Sequence, residues 1–158
     1  MRKLFLIIVI SFVLTACTST PDHAENPLTA IQHDCQPSVI QKSQSGFPEI
    51  QGTMKSDGEM WALLFFDKAH AKEDEKFVWR ITGTGMDFTA RAQNEDGTSI
   101  SPIWEPDYHG SSTWERPGEE WGTGFNFPEA GCWTLTVTYG PTIGEISLDV
   151  LAAEEQAQ

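Results

Sequence analysis

Basic residues are scarce in this sequence. Its 158 residues include ten Lys and Arg against 23 Asp and Glu, which gives a formal net charge of −13. Such an excess of negative charge is repelled by nucleic acid, by anionic lipid head groups and by anionic wall polymers. Nucleic-acid binding is therefore effectively excluded, and solubility is the simplest explanation of the acidity.

Long apolar runs are also lacking, apart from one near the N-terminus. Arg2 and Lys3 precede an apolar run over residues 4–14 that Ser11 interrupts. A membrane-spanning helix needs about 20 apolar residues, so this run is too short to span a membrane. Its length and its positively charged start are typical of a secretory signal.

The end of this run, Leu14-Thr15-Ala16-Cys17, resembles the lipobox of bacterial lipoproteins. In that family the cysteine receives a diacylglyceryl group, and cleavage then makes it the N-terminus. The resemblance implies a fatty-acylated Cys17 that anchors the chain to the extracytoplasmic face of the cell membrane, since two acyl chains anchor a protein stably. The alternative is an ordinary secretory signal with an incidental cysteine. Cleavage would remove two basic residues and no acidic one, so the mature charge would be −15.

Cysteines are few, and their number is informative. If Cys17 is acylated, Cys35 and Cys132 remain, and an even pair outside the cytosol favours a disulfide. It would close a loop of about a hundred residues, worth up to ~4.7 kcal/mol in the chain-entropy model. Two unpaired thiols are the alternative, because spacing does not test geometry. A metal site is not expected, because His33 lies near Cys35 but no histidine lies near Cys132.

Composition divides the chain into four regions. Residues 1–16 are the predicted signal peptide, 17–46 the lipidated N-terminus and polar tether, 47–151 a folded domain and 152–158 a frayed tail. As a flexible coil, the tether before Cys35 would reach roughly 20–25 Å from the membrane.

The domain contains short β-type runs between turn signals, without a helical period. Residues 59–66 are almost continuously apolar, as in a buried central strand. Apolar side chains recur at every second position in four further runs, at residues 76–82, 87–93, 132–139 and 145–150. Residues 67–75 form a charged connection for which one helical turn is considered. The pattern predicts an all-β fold, an antiparallel two-sheet sandwich.

A longer motif supports the same fold. Residues 121–133 read Trp-Gly-Thr-Gly-Phe-x-Phe-Pro-x-x-Gly-Cys-Trp, preceded by Trp114-x-Arg-Pro-Gly. Together with Trp61-Ala-Leu-Leu-Phe65, Val78-Trp-Arg80 and the lipobox, this is similar to a group of small lipoproteins of Gram-positive, bacillus-like bacteria. The resemblance implies an immunoglobulin-like domain at the cell surface. That group has no activity to carry over, so the resemblance implies none.

The segment 104–124 is the candidate binding site. It is rich in aromatic side chains, and its prolines and glycines disfavour regular structure over most of it. Aromatic side chains on a loop suit stacking on sugar rings or anchoring a protein partner. The alternative is that they fold back as a cap on the core. The candidate residues are Trp104, Tyr108, His109, Trp114, Arg116 and Trp121.

Catalytic and metal-binding patterns are weak. Asp107, His109 and Ser111 are the residue types of a nucleophile, base and orienter, but three groups two residues apart on one segment rarely converge. Glu119 and Glu120 should diverge in an extended chain, whereas glycosidase carboxyl groups face each other across about 5–9 Å. The sequence also predicts no cofactor and no metal ion.

The expected function is a non-catalytic binding or accessory module of the cell envelope. Its predicted partners are the membrane, through lipid on Cys17, and an envelope protein or wall glycan. An inhibitor or regulator of an extracellular enzyme such as a protease is the alternative, because bacterial immunoglobulin-like domains can serve as protease inhibitors. A hydrolase is disfavoured.

Overall fold

The computed structural model describes residues 35–85, 87–110 and 112–153. These residues form strands and connecting turns, and no helix occurs in them. The strands are β1 (Ile40–Lys42), β2 (Pro48–Gln51), β3 (Thr53–Met54), β4 (Met60–Leu64), β5 (Asp74–Ile81), β6 (Phe88–Asn94), β7 (Ser99–Ile100), β8 (Asp107–His109), β9 (Glu119–Asn126), β10 (Gly131–Tyr139) and β11 (Thr142–Val150). It follows that no described helix is long and apolar enough to cross a membrane.

The strands form two antiparallel sheets that pack as a sandwich. Sheet A has the order β1-β2-β4-β5-β9-β8, and sheet B has the order β3-β11-β10-β6-β7. Strands β4-β5-β9-β8 and β6-β10-β11 reproduce the A-B-E-D and C-F-G strand orders of an immunoglobulin fold. The predicted immunoglobulin-like, all-β sandwich is confirmed.

Alternation of side chains explains the core. In β10, Trp133, Leu135, Val137 and Tyr139 are buried, while the threonines between them are partly exposed. Strand β4 is buried on both faces, which accounts for its continuous apolar run. Its residues Ala62 and Leu64 face the core between the sheets, whereas Trp61 and Leu63 belong to a separate apolar cluster. A second layer must therefore cover the outer face of sheet A.

The predicted disulfide is present. Cys35 and Cys132 are bonded, with Cα atoms 5.3 Å apart and a sequence separation of 97. Beyond Cys35 the chain joins the sandwich at once, because the Ser38 N–H donates to the Ser147 carbonyl and β1 pairs with β2. The last part of the predicted tether, up to residue 46, is thus part of the folded domain.

Some predictions fall on other parts of the chain. The signal peptide, the acylated Cys17 and the tether up to residue 34 lie outside the described residues, as do residues 154–158 of the predicted tail. Of that tail, Ala152 and Ala153 are exposed and irregular.

The helical turn considered for residues 67–75 does not form. Residues 67–73 are irregular, and β5 already begins at Asp74. Three backbone N–H groups of this segment donate outside any helical pattern: that of His70 to the Glu75 carboxylate, that of Ala71 to the Leu151 carbonyl and that of Lys72 to the Phe127 carbonyl. Because these donors have partners elsewhere, they are not available for bonds within a helix.

Candidate functional site

Strands β8 and β9 position the candidate residues. They pair antiparallel, with Tyr108 opposite Trp121 and His109 opposite Glu120. The segment 104–124 therefore contains two pieces of regular strand, joined by a connection (residues 110–118) in which residues 110 and 112–118 are irregular. Since side chains alternate along a strand, Tyr108, Glu119 and Trp121 share the face toward sheet B, whereas His109 and Glu120 lie on the opposite face.

Tyr108 and Trp121 line an aromatic recess at the rim of the sandwich. Its remaining lining residues are Glu119 from the start of β9, Tyr139 from the end of β10 and Gly85 from the connection after β5. The recess has a volume of about 430 Å³. Tyr108 is 50% exposed, although it is a large aromatic side chain. The aromatic recess thus offers apolar surface to a ligand.

The rings of the recess are inclined to one another. Trp121 lies 5.0 Å from Tyr108 at an interplanar angle of 61°, and 5.9 Å from Tyr139 at 55°. Phe88 stacks on Trp121 at 5.0 Å and 14°, so it covers one indole face. The recess therefore has angled walls and is not a flat aromatic platform.

Two hydrogen bonds fix the tyrosine hydroxyl groups of the aromatic recess. The Tyr108 hydroxyl donates to Glu119 Oε2 at 2.6 Å, and the Tyr139 hydroxyl donates to the Gly85 carbonyl at 2.9 Å. The hydrogen bond to the Glu119 carboxylate and its negative charge raise the pKa of Tyr108 above its ordinary value, because both favour the protonated phenol. Glu119 is itself exposed, so its carboxylate is accessible at the rim.

The indole N–H of Trp121 is buried and has no hydrogen-bond partner among the described residues. The buried indoles of Trp79, Trp114 and Trp133 all donate, to Thr123, Glu49 and the Glu129 carbonyl respectively. A buried unpaired donor costs about 1–3 kcal/mol. The recess is therefore a place where the fold is not optimised for stability, as is common at functional sites.

On the opposite face, His109 joins a charged cluster around the buried Glu120. That carboxylate accepts hydrogen bonds from Arg80 Nε at 2.9 Å and from the Ser112 hydroxyl at 2.5 Å. His109 Nδ1 lies 3.2 Å from Glu120 Oε1, and its Nε2 lies 3.4 Å from Asp107 Oδ2. The cluster fastens the edge strand β8 and the 110–118 connection to β9 and β5.

A second buried carboxylate holds the 110–118 connection on the outer face of sheet A. Glu49 has no exposed surface and accepts hydrogen bonds from Trp114 Nε1 at 2.8 Å and from Nε and Nη2 of Arg116. The Arg116 guanidinium also lies 4.1 Å from the ring centroid of Trp61. Trp114 is 7% exposed and packs with Trp61, Leu63 and Val78. For Trp114 and Arg116, the structural cap is therefore the correct interpretation, although the cap covers sheet A and not the central core.

Trp104 lies elsewhere again, 40% exposed over the backbone of β9. A Cβ atom on Gly124 would come within 2.0 Å of the Trp104 indole, and one on Gly122 would come within 3.1 Å of the His109 ring. The glycines of Gly122-Thr123-Gly124 thus leave room for an indole and an imidazole.

The structure brings Tyr108 together with Trp121, and Trp114 together with Arg116, but it does not unite all six candidate residues. Sequence reasoning missed Glu119 as a binding residue, and also Tyr139 and Gly85. Tyr139 follows the alternation of a core strand, and only its position at the end of β10 carries it to the rim. No local signal distinguishes it from the core residues before it.

The two catalytic patterns considered in the sequence have different outcomes. Asp107 contacts His109, but Ser111 lies outside the described residues. Glu119 and Glu120 diverge as expected, one toward Tyr108 and the other toward Arg80. Within the described ranges, no group of three or more His, Cys, Asp or Glu residues is arranged to hold a metal ion.

Comparison with known proteins adds no assignment. No protein-family model matches the chain. A search of curated proteins finds no match either.

Proposed function

We propose that this protein is an extracytoplasmic lipoprotein, anchored by lipid on Cys17, that acts as a non-catalytic binding module of the cell envelope. Its ligand, an envelope protein or a wall glycan, binds at the aromatic recess. The observation that carries the proposal is the half-exposed Tyr108 beside Trp121 at the rim of a rigid sandwich.

Support for the address comes from the sequence and from the disulfide. The lipobox-like Leu14-Thr15-Ala16-Cys17 follows an apolar run of signal length. The bond between Cys35 and Cys132 is typical of an oxidising compartment, and it leaves Cys17 as the remaining cysteine of the chain.

Support for the binding role comes from the different positions of the aromatic and charged side chains in the segment 104–124. Trp114 and Arg116 are committed to the buried Glu49 and hold the segment in place. Tyr108 is left at the surface, where a rigid aromatic ring gives a large contact area at low cost in conformational entropy. A fixed framework with exposed aromatic groups is the arrangement expected of a binding site.

The alternative, an inhibitor or regulator of an extracellular enzyme, has less support. A loop that enters a protease cleft must project from its scaffold, whereas residues 112–118 are fastened against sheet A through Trp114 and Arg116. The hydrolase alternative has even less support, because the carboxylates of Glu119 and Glu120 diverge.

The anchor is tested with the full chain in a bacterium that processes lipoproteins. Wild-type protein should incorporate a fatty-acid label and sediment with membranes, and Cys17→Ala should do neither. A Cys17→Ala protein that still carries the label would refute the assignment of the anchor.

The binding role is tested with purified cell wall and with detergent-solubilised envelope. The full chain should be retained by one of them, and Tyr108→Ala should be retained several-fold less. Trp104→Ala is the matched control, since it removes an exposed aromatic side chain outside the recess. Equal retention of wild type and Tyr108→Ala would refute the recess as the binding site.

A further inference from the structure

The composition of the aromatic recess indicates its ligand. Among the described residues, three aromatic rings and one carboxylate line it, and no basic side chain does. Aromatic faces and a carboxylate both attract positive charge, and the aromatic faces tolerate the methyl groups of an alkylated amine. Resting on the binding role proposed above, we infer that the recess is a cage for an alkylated ammonium group, and that this group, and not a sugar ring, is the part of the envelope ligand that it holds.

Ring geometry favours a cation over a sugar. A sugar ring stacks on an exposed flat face, but Phe88 covers one face of Trp121 and the neighbouring rings stand at 61° and 55° to it. Angled rings instead surround a compact group. The centroids of Tyr108 and Tyr139 lie 5.0 and 5.9 Å from that of Trp121, which is the distance scale of about 6 Å over which a cation is attracted to an aromatic ring.

Charge supports the same choice. Glu119 Oε2 is fixed at the rim by the Tyr108 hydroxyl, 2.6 Å away, and Glu119 stays exposed. The guanidinium of Arg80, on the neighbouring strand β5, is bonded to Glu120 on the other face of the sheet. The chain as a whole carries a formal charge of −13, which attracts cations over longer range. An anionic ligand would be repelled by the Glu119 carboxylate and by the net negative charge of the chain.

The size of the aromatic recess and its position at the rim fit a small chemical group. The recess of about 430 Å³ is larger than a trimethylammonium group, so substituents on the cation have room to extend toward solvent. The Gly85 carbonyl accepts a hydrogen bond from the Tyr139 hydroxyl. This bond holds the Tyr139 ring in place before a ligand binds. A preformed cage loses little entropy when it binds.

The test compares ligands that differ in charge alone. Choline and its uncharged isostere 3,3-dimethylbutan-1-ol are titrated into the full-length chain in a non-ionic detergent, with binding followed by tryptophan fluorescence and calorimetry. Choline should bind about tenfold more tightly than the isostere, as expected for a cation over aromatic faces. Glu119→Gln should weaken choline binding about two- to fivefold and leave binding of the isostere unchanged.

Two further variants separate the recess from the rest of the surface. Tyr108→Ala removes one wall at an exposed edge strand and should abolish the preference for choline, whereas Trp104→Ala should keep it. Equal binding of choline and its isostere, or no binding of choline, would overturn the inference. If wall glycan is then still retained through Tyr108, the binding role stands without the cation. If neither choline nor envelope material depends on Tyr108, both proposals fail.

Discussion

The buried carboxylate of Glu49 sets the stability of the outer layer, and replacing its partner Arg116 tests this. Glu49 has no exposed surface, while the Arg116 side chain is 27% exposed and binds it through two nitrogens. Breaking a buried ion pair costs about 3–5 kcal/mol, because the remaining charge is left without compensation. Partial hydration of the site reduces this energetic cost. We therefore expect Arg116→Met to lower the free energy of unfolding by about 3 kcal/mol. The corresponding loss in Tm is about 10 °C.

Urea unfolding followed by tryptophan fluorescence measures the effect. In a double-mutant cycle, Glu49→Gln removes the charge but keeps an oxygen that accepts the Trp114 indole N–H. Arg116→Met should then cost about 2 kcal/mol less in the Glu49→Gln background than in the wild type. Lys55→Met is the matched control, because it breaks the more exposed Lys55–Glu145 pair, and it should cost at most about 0.5 kcal/mol. Equal costs of Arg116→Met in both backgrounds would refute the reasoning.

Three further predictions concern other groups. Burial raises the pKa of Glu75, so the folded state binds the extra proton and stability falls as the pH rises from the ordinary Glu pKa through the raised one; Glu75→Gln should gain Tm relative to wild type over this rise in pH, and a pH-independent difference would contradict this. Replacing Cys35 and Cys132 together by serine should cost up to about 4–5 kcal/mol in chemical unfolding, because the bond closes a 97-residue loop; unchanged stability would refute its role. Glu119→Gln should lower the pKa of Tyr108, measured by tyrosinate absorbance, and an unchanged titration would contradict the hydrogen bond.

Much of the fold follows from the sequence because it depends on local alternation. Strands β10 and β11 follow it closely, since apolar residues recur at every second position. The double-sided burial of β4 was also readable, from its unbroken apolar run. These patterns need no knowledge of distant residues.

The candidate site depends on contacts that no local pattern contains. Glu49 reads as the outward residue of a strand, and its burial arises only because Arg116, 67 residues later, lies over it. The local sequence around Trp114 likewise does not show that its indole is buried, because its partner Glu49 is distant in sequence. Tyr139 meets Tyr108 and Trp121 only because the two sheets pack with their ends aligned. Sequence reasoning identified two of the aromatic residues but not the cavity that they share.

The disulfide determines how mechanical load enters the domain. Cys132 is the second residue of β10, which lies between β11 and β6 in sheet B and is hydrogen bonded on both sides. A pull on the chain before Cys35 therefore passes through the sulfur atoms into this central strand. This covalent path bypasses the 96 residues between the two cysteines, which include the short edge strand β1. With the disulfide intact, tension on the N-terminal segment is not carried by the pairing of β1 with β2 alone, whereas after reduction the same tension would act directly on that pairing.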